Sequence, residues 1–470
     1  MSQAAESYDF LVIGGGPAGQ KAAVQAAKVG ERVLVVERGV VGGECVQRGT
    51  IPSKTLRESA LHLSGLRARA VGILDELAAD TPIKSLMRRL DDVLKGHQDF
   101  MSDQLERNGI DVIRGRAKFL SENEVEITKS DGSTRVARAE TIIVATGSRP
   151  RKPDDIPVDH EHILDSDSIL SLIYLPKSLT VMGAGVIACE FATIFQALGV
   201  EVTMIDRRSK PLGFLDPEII GLFLARFKAM GGRFIPDAHT KRVEFDGMAA
   251  VEVELESGEV LKSEKALVAL GRTASVNGLG LEAAGIELSD RGFIPVDEFC
   301  RSSVEHIYAI GDVVGPPALA TASMEQGRRA ARHALGLETQ GRIDLIPVGV
   351  YTIPEIASVG LTEAQVVDKG EKPIIGRARF EEIARGQISG ERDGLLKLVC
   401  DPSGRRLLGA HVIGAGATDL VHLAQLAMIG EMPIDTFVDN IFNFPTMAEC
   451  YRVAALDVVG RRPKAVPLVG

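Results

Sequence analysis

The sequence contains no tryptophan and few other aromatic residues, with 5 Tyr and 16 Phe in 470 positions. Aromatic side chains supply the platforms on which single-stranded nucleic acids stack their bases, and basic residues neutralise the phosphates. Basic residues are also in the minority here, at 54 Lys and Arg against 64 Asp and Glu. We therefore expect no nucleic-acid partner.

Cysteine is scarce and scattered, at positions 45, 189, 300, 400 and 450. The number is odd, and no two cysteines have the close spacing of a redox motif or a metal site. The sequence therefore predicts neither a disulfide framework nor a metal ion, and it favours a reducing, cytoplasmic location.

Long apolar runs are missing as well. The most apolar stretch, residues 179–205, is interrupted by Glu190 and Glu201 and is typical of a strand, a helix and a strand. Residues 1–9 are acidic where a secretion signal is basic. We expect neither a membrane span nor secretion.

A glycine-rich motif follows the first β-favouring segment, residues 9–13. Gly14, Gly16 and Gly19 form a G-x-G-x-x-G pattern that opens into an alanine-rich helix, and Glu37 ends the next strand 18 residues beyond Gly19. In a βαβ unit such a turn admits a pyrophosphate at the helix N-terminus, and the acid accepts hydrogen bonds from a ribose. The motif predicts a dinucleotide site.

The same unit returns 169 residues later. Adding 169 carries each functional position of the first unit onto a matching residue, namely Gly183, Gly185, Ala188 and Asp206. Ala188 varies the third position, but the shared register makes coincidence a poor explanation. Two dinucleotide sites in one chain predict electron transfer between two bound dinucleotides.

The remaining patterns give a fold class and a domain division. A strand over 136–145 and another over 307–310 are expected in the first sheet, with helical stretches between 56 and 107. Short strands at 395–400 and 407–413 and a helix at 419–431 indicate a separate C-terminal α+β unit. We predict an α/β protein with two Rossmann-like domains, 1–150 plus 277–345 and 151–276, and a third domain, 346–470.

Four further segments carry a family resemblance. These are Gly42-Gly43-Glu44-Cys45 running on to Pro52-Ser53-Lys54, Ala145-Thr146-Gly147, Tyr308 to Asp312, and Phe444-Pro445-Thr446. With the two glycine motifs they resemble the flavoprotein family that includes dihydrolipoamide dehydrogenase and glutathione reductase, over residues 8 to about 460.

The chain departs from the disulfide reductases of that family at both halves of their dithiol apparatus. Cys45 is kept, but Thr50 occupies the place of the second cysteine and Phe444 that of the histidine base. The two losses belong together, because without a disulfide there is no thiol to deprotonate. This combination most resembles the soluble, Si-specific pyridine nucleotide transhydrogenase branch.

The resemblance implies functions for individual residues. It implies tightly but non-covalently bound FAD in the first unit and NAD(H) or NADP(H) in the second, with reversible hydride transfer between the nucleotides through the flavin. Lys54 and Glu190 would form a catalytic pair beside the flavin. The implied flavin-site residues are Gly14, Gly16, Gly19, Glu37, Gly43, Cys45, Lys54, Ala117, Thr146, Gly147, Asp312 and Ala320. The implied nicotinamide-nucleotide residues are Gly183, Gly185, Ala188, Asp206, Arg207, Arg208 and Gly271.

Several alternatives stay open at the level of sequence. A flavin-dependent NAD(P)H oxidase or quinone reductase needs the same two units, and a non-catalytic FAD-bound scaffold is a hypothesis of another class. Lys54 and Glu190 could form an ordinary salt bridge between domains, and Arg207 and Arg208 could be solvated surface residues. The resemblance also implies a homodimer that pairs through the C-terminal domain.

Overall fold

The computed structural model describes residues 5–65, 83–339 and 344–463. Residues 1–4 and 464–470, at the ends of the first and last predicted domains, lie outside the described residues. So do residues 66–82, which belong to the predicted helical stretches, and residues 340–343.

The first sheet has seven strands in the order β3-β2-β1-β6-β5-β4, with β17 paired to the C-terminal half of β6. β1, β2, β3, β6 and β17 are parallel, whereas β4 and β5 are antiparallel additions. Its strands are β1 (Glu6–Ile13), β2 (Val33–Glu37), β3 (Asp111–Arg114), β4 (Arg116–Phe119), β5 (Glu124–Thr128), β6 (Thr134–Val144) and β17 (Ile307–Ala309).

The second sheet is parallel throughout, in the order β11-β10-β9-β15-β8. Four of the five residues of β9 are buried, as expected of a strand that is covered on both faces. The strands are β8 (Ile163–Asp165), β9 (Ser178–Met182), β10 (Glu201–Ile205), β11 (Arg233–Ile235) and β15 (Lys265–Val268).

Three antiparallel sheets complete the described strands. The pair β16-β7 lies at the passage between the first two sheets, β12-β13-β14 packs beside the second, and β18-β19-β22-β21-β20 forms the C-terminal sheet. The strands are β7 (Ser148–Pro150), β12 (Thr240–Phe245), β13 (Val251–Leu255), β14 (Val260–Ser263), β16 (Arg272–Ala274), β18 (Val348–Val350), β19 (Ile356–Gly360), β20 (Ile374–Arg379), β21 (Leu395–Cys400) and β22 (Leu407–Ile413).

Helices cover these sheets. The α-helices are α1 (Pro17–Ala27), α2 (Gly43–Gln47), α3 (Thr50–Leu63), α4 (Ile83–Glu106), α5 (Val186–Ala197), α6 (Pro217–Ala229), α7 (Ala320–Ala334), α8 (Glu363–Asp368), α9 (Ala384–Ser389), α10 (Ala417–Ile429), α11 (Thr436–Asp439) and α12 (Glu449–Arg461). Short 3-10 helices occur at Ser168–Ser171, Leu281–Ala284, Gly311–Val314 and Phe380–Glu382. Among the described residues, no helix combines the length and apolar character needed to cross a membrane.

The predicted α/β fold class is confirmed. Both strand-turn-helix-strand units are present, and β6 and β17 return to the first sheet as the sequence predicts. The predicted alanine-rich helix begins at Pro17, and proline is well suited to the first position of a helix. The domain boundaries stay a prediction.

Candidate functional site

A large cavity of about 1800 Å³ opens between the first and the second sheet. This volume exceeds the range of a site for one drug-sized ligand. The carboxyl ends of strands from both sheets point into it, which is where α/β proteins bind their ligands.

Each half of the cavity begins with a glycine that no other residue could replace without strain. Gly14 follows β1 with φ of 111° and Gly183 follows β9 with φ of 110°. A Cβ atom at Gly14 would lie 2.3 Å from the carbonyl oxygen of Ala145, and one at Gly183 would lie 2.5 Å from that of Ala269. The two turns are therefore held in the same conformation by the same close approach.

Among the described residues, no side chain caps the N-terminus of the helix that follows either turn. Gly16 and Gly185 occupy the N-cap positions of α1 and α5, and no described side chain caps either helix. Backbone N–H groups at a helix N-terminus stabilise negative charge, so both turns suit a pyrophosphate.

The two predicted acids make matching hydrogen bonds. Glu37 accepts from the backbone N–H of Gly15 at 2.7 Å and from that of Gly39 at 2.7 Å. Asp206 accepts from the backbone N–H of Ala184 at 2.7 Å and from that of Arg208 at 2.7 Å. These partners are again 169 residues apart, so the repeat seen in the sequence extends to individual hydrogen bonds.

The units differ in the side chain two residues after the acid, which is glycine in the first and Arg208 in the second. Arg208 Nε donates to Asp206 Oδ1 at 3.1 Å, while its side chain remains 64% exposed. Burial alone would raise the pKa of Asp206, but the hydrogen bonds from the Arg208 side chain and backbone lower it below the usual range. Asp206 is therefore a carboxylate with a cation of its own chain beside it.

Lys54 and Glu190 meet across the cavity floor. Lys54 Nζ lies 2.6 Å from Glu190 Oε2, and the Glu190 side chain is only 5% exposed. The other oxygen, Glu190 Oε1, accepts from the backbone N–H of Tyr351 at 2.8 Å. Lys54 Nζ also lies 4.9 Å from the centre of the Tyr351 ring. Tyr351 gave no signal in the sequence, because it lies between β18 and β19 of the C-terminal sheet and no motif or spacing connects it to Glu190.

Cys45 lines the cavity beside Thr50 and is a free thiol. Burial raises the pKa of the Cys45 thiol, and the hydrogen bond with Thr50 and the charge of Lys54 lower it by less. Phe444, in the place of the family's histidine, is 68% exposed on the surface of this chain. The described residues thus provide neither a second thiol nor a histidine base beside Cys45.

Other predicted flavin-site residues surround the first half of the cavity. Asp312 follows β17 and accepts a hydrogen bond from the Ser148 hydroxyl at 2.6 Å. The hydroxyl of Thr146 is buried without a hydrogen-bond partner among the described residues. An unpartnered buried hydroxyl at a cavity wall fits a site that a polar ligand completes.

Most of the predicted site residues line this cavity. They are Gly14, Gly16, Glu37, Gly43, Cys45, Lys54, Ala117, Thr146, Gly147, Gly183, Gly185, Glu190, Asp206, Arg207, Arg208, Gly271, Asp312 and Ala320. Gly19 and Ala188 do not, because the third position of each motif packs the helix against its strand: a Cβ at Gly19 would lie 2.0 Å from the Gly14 carbonyl oxygen. Within the described ranges, no three His, Cys, Asp or Glu side chains are grouped to hold a metal ion.

Comparison with protein families gives the class. Residues 8–327 match the pyridine nucleotide-disulphide oxidoreductase family, and residues 346–455 match the dimerisation domain of the same family. The chain belongs to the pyridine nucleotide-disulphide oxidoreductase family. The predicted family and the interpretation of the chain as an oxidoreductase are thereby confirmed.

Individual relatives are similar over nearly their whole length. The soluble pyridine nucleotide transhydrogenase of Mycobacterium tuberculosis is 41% identical over 458 residues, which are 97% of each chain. That of Colwellia psychrerythraea is 38% identical over 97% of this chain and 98% of its own.

Solved structures share the fold. LpdA from Mycobacterium tuberculosis superposes with a TM-score of 0.89 at 28% identity, covering 95% of this chain and 99% of its own. The flavoprotein disulfide reductase RclA from Escherichia coli gives 0.87 at 26% identity, covering 96% and 99%.

Proposed function

We propose that this protein is an FAD-dependent transhydrogenase that moves a hydride reversibly between NADPH/NADP+ and NADH/NAD+. One observation carries the proposal: two matching dinucleotide turns open on one cavity, with the Lys54–Glu190 pair between them and Thr50 in place of a second thiol. The names of the relatives at 38% and 41% identity support it.

The first unit fits FAD, held tightly but without a covalent bond. Its uncapped helix N-terminus suits the pyrophosphate, Glu37 the adenosine ribose, and Asp312 and the unpartnered Thr146 hydroxyl the more polar parts of the cofactor. When bound, the flavin supplies a store for one hydride, and its ring system becomes more negative on reduction.

Lys54 and Glu190 act on that negative charge. The Lys54 ammonium stabilises it, and Glu190 fixes the ammonium in position. The Tyr351 N–H occupies the remaining Glu190 oxygen, so the carboxylate is held at both oxygens and keeps a single geometry.

The second unit binds either nicotinamide dinucleotide. Asp206 suits the ribose 2′-hydroxyl of NAD(H), and Arg208 supplies the positive charge that a 2′-phosphate requires. Arg207 is the weaker candidate, because Arg38 holds the same position in the first unit, where no 2′-phosphate binds.

The predicted domain division is part of this proposal, with FAD bound by residues 1–150 and 277–345 and NAD(P) by 151–276. Residues 346–470 would pair two copies into a homodimer, which the match to a dimerisation domain supports. A cytoplasmic location is supported by the five cysteines, all within the described ranges and all free thiols.

The deciding experiment monitors the visible absorbance of the bound flavin under anaerobic conditions. NADPH should bleach the bound flavin with uptake of two electrons, and NAD+ should then restore the colour. A flavin that bleaches but recovers only with oxygen or a quinone would make the protein an oxidase or quinone reductase. Absence of bleaching would make it a scaffold.

A further inference from the structure

A buried arginine lies one helical turn from Lys54 on α3. The Arg57 side chain is 5% exposed and donates in three directions. Arg57 Nε donates to the Thr352 carbonyl oxygen at 3.0 Å, Nη1 lies 2.7 Å from Glu58 Oε1, and Nη2 lies 3.0 Å from Glu355 Oε1. Two of these three acceptors belong to residues 351–355.

Residues 351–355, hereafter the bridging segment, are tied to several elements. The Tyr351 N–H donates to Glu190, and the Ile353 N–H donates to the Thr193 hydroxyl at 3.1 Å, both on α5. Glu355 Oε2 accepts from the Thr418 hydroxyl at 2.9 Å at the start of α10. The segment therefore joins α5 and α10, and Arg57 joins it to α3.

These contacts form a closed ring. Lys54 binds Glu190, Glu190 accepts from Tyr351, and the neighbouring Thr352 accepts from Arg57, which returns to α3 and so to Lys54. A planar guanidinium holds two acceptors in a fixed geometry, which a lysine ammonium cannot do in the same way. Removal of Arg57 would leave the Thr352 carbonyl without its donor and the Glu355 carboxylate, which is 14% exposed, with Thr418 but without its cation.

We propose that Arg57 is a positioning residue, which sets the bridging segment so that Tyr351 holds one oxygen of Glu190 and leaves the other for Lys54. This inference rests on the proposed function, because Arg57 would act on the midpoint potential of the bound flavin. Without Arg57 the bridging segment keeps its Ile353 bond to α5 but loses its bond to α3, so the Tyr351 N–H is held less firmly on Glu190. The carboxylate then neutralises more of the Lys54 charge, and the reduced flavin is less stabilised.

The test measures the midpoint potential of the bound flavin by spectral titration against reference dyes. Lys54→Met should make the potential more negative. Arg57→Met should shift it in the same direction by a roughly tenfold change in the ratio of reduced to oxidised flavin, or about 30 mV for a two-electron couple. The double variant should match Lys54→Met, because Arg57 acts through Lys54.

Two variants separate positioning from charge and from general damage. Arg57→Lys keeps the buried positive charge but loses the planar guanidinium, so its flavin potential should lie between those of Arg57→Met and the wild type. If Arg57→Met does not fold, the measurement is made on Arg57→Lys. Lys397→Met removes another buried cation, away from the cavity, and should leave the potential unchanged.

Full recovery in Arg57→Lys, or an Arg57→Met shift that adds to that of Lys54→Met, would overturn the proposal. So would an unchanged potential in Arg57→Met. The bleaching and recovery of the wild-type protein are measured independently, so a failure at Arg57 is distinguishable from a failure of transhydrogenation.

Discussion

By resemblance Cys45 occupies the position of a redox cysteine, but its surroundings disfavour the reactive thiolate. Its neighbour Thr50 carries a hydroxyl, and burial raises the pKa of the thiol. A thiolate is the reactive form of cysteine, so little of this side chain is nucleophilic near neutral pH. At the scale of single residues, the proposed function therefore relies on charge stabilisation by Lys54 and not on thiol chemistry.

The reactivity of Cys45 should therefore depend steeply on pH. Because its pKa is raised, alkylation by iodoacetamide should be slower than that of glutathione at pH 7.5 and should accelerate as the pH approaches the raised pKa. Peptide mass spectrometry over a pH series would measure this, with Cys45→Ser as the control. Rapid labelling of Cys45 at pH 7 would contradict it.

Asp206 should favour the binding of NADH, and Arg208 should favour the binding of NADPH. Arg208→Ala should raise the Michaelis constant for NADPH roughly tenfold, the scale of a charge-assisted contact of about 1.5 to 3 kcal/mol, and leave that for NADH nearly unchanged. Asp206→Ala should do the reverse. Arg207→Ala is the matched control and should alter neither preference. Equal effects of Arg208→Ala on both nucleotides would remove Arg208 from discrimination.

At the scale of elements, the strands and turns were predictable where a local pattern defines them. The strands at Leu395–Cys400 and Leu407–Ile413 have their predicted bounds, because each is an apolar run that turn-forming residues end. Arg57 and Tyr351 were not predictable, because Arg57 contacts Thr352 across 295 positions of the chain and no spacing rule connects them. Local periodicity predicts where a helix or a strand lies, but the contacts between these elements are seen only in the folded structure.

The crossing of α1 and α7 depends on Gly327. A Cβ atom there would lie 2.2 Å from the Ala18 carbonyl oxygen. Gly327→Ala should therefore force the helices apart and destabilise the protein by about 1–3 kcal/mol.

Gly96→Ala offers a matched control, because Gly96 lies in α4 with nothing within 4 Å of the added carbon. This variant should be neutral or more stable, by up to about 1 kcal/mol. Thermal unfolding of both variants measures the difference. Equal stability of Gly327→Ala and the wild type would refute the close packing.

At the scale of the whole molecule, a buried ion cluster joins the second sheet's layer to the C-terminal sheet. Lys397 on β21 is 3% exposed and lies 2.9 Å from Asp216, which is fully buried at the N-terminus of α6. Lys397 also lies 3.1 Å from Glu218 and 2.7 Å from Glu363. The cluster thus ties the N-terminus of α6 to β21 and α8.

Loss of one partner of this cluster should cost much more than loss of a surface pair. Lys397→Met leaves Asp216 buried without its cation, a change worth about 3–5 kcal/mol. Arg233→Met breaks the exposed pair with Glu259 and should cost less than about 1 kcal/mol. Melting temperatures of the two variants test this, and a similar decrease in both would show that the cluster is not structural.

In both units the acid, Glu37 or Asp206, is positioned by backbone groups, so its position does not depend on the side chains that distinguish the two units. Both acids are held by the two equivalent backbone N–H groups of the repeat, and the units differ two residues after the acid, with Gly39 in one and Arg208 in the other. The backbone that holds the acid is thus the same in both units and does not depend on the side chain at position 39 or 208. Under the proposed function, a substitution at position 208 alone would change the nucleotide that the second unit accepts and would leave the backbone that holds Asp206 intact.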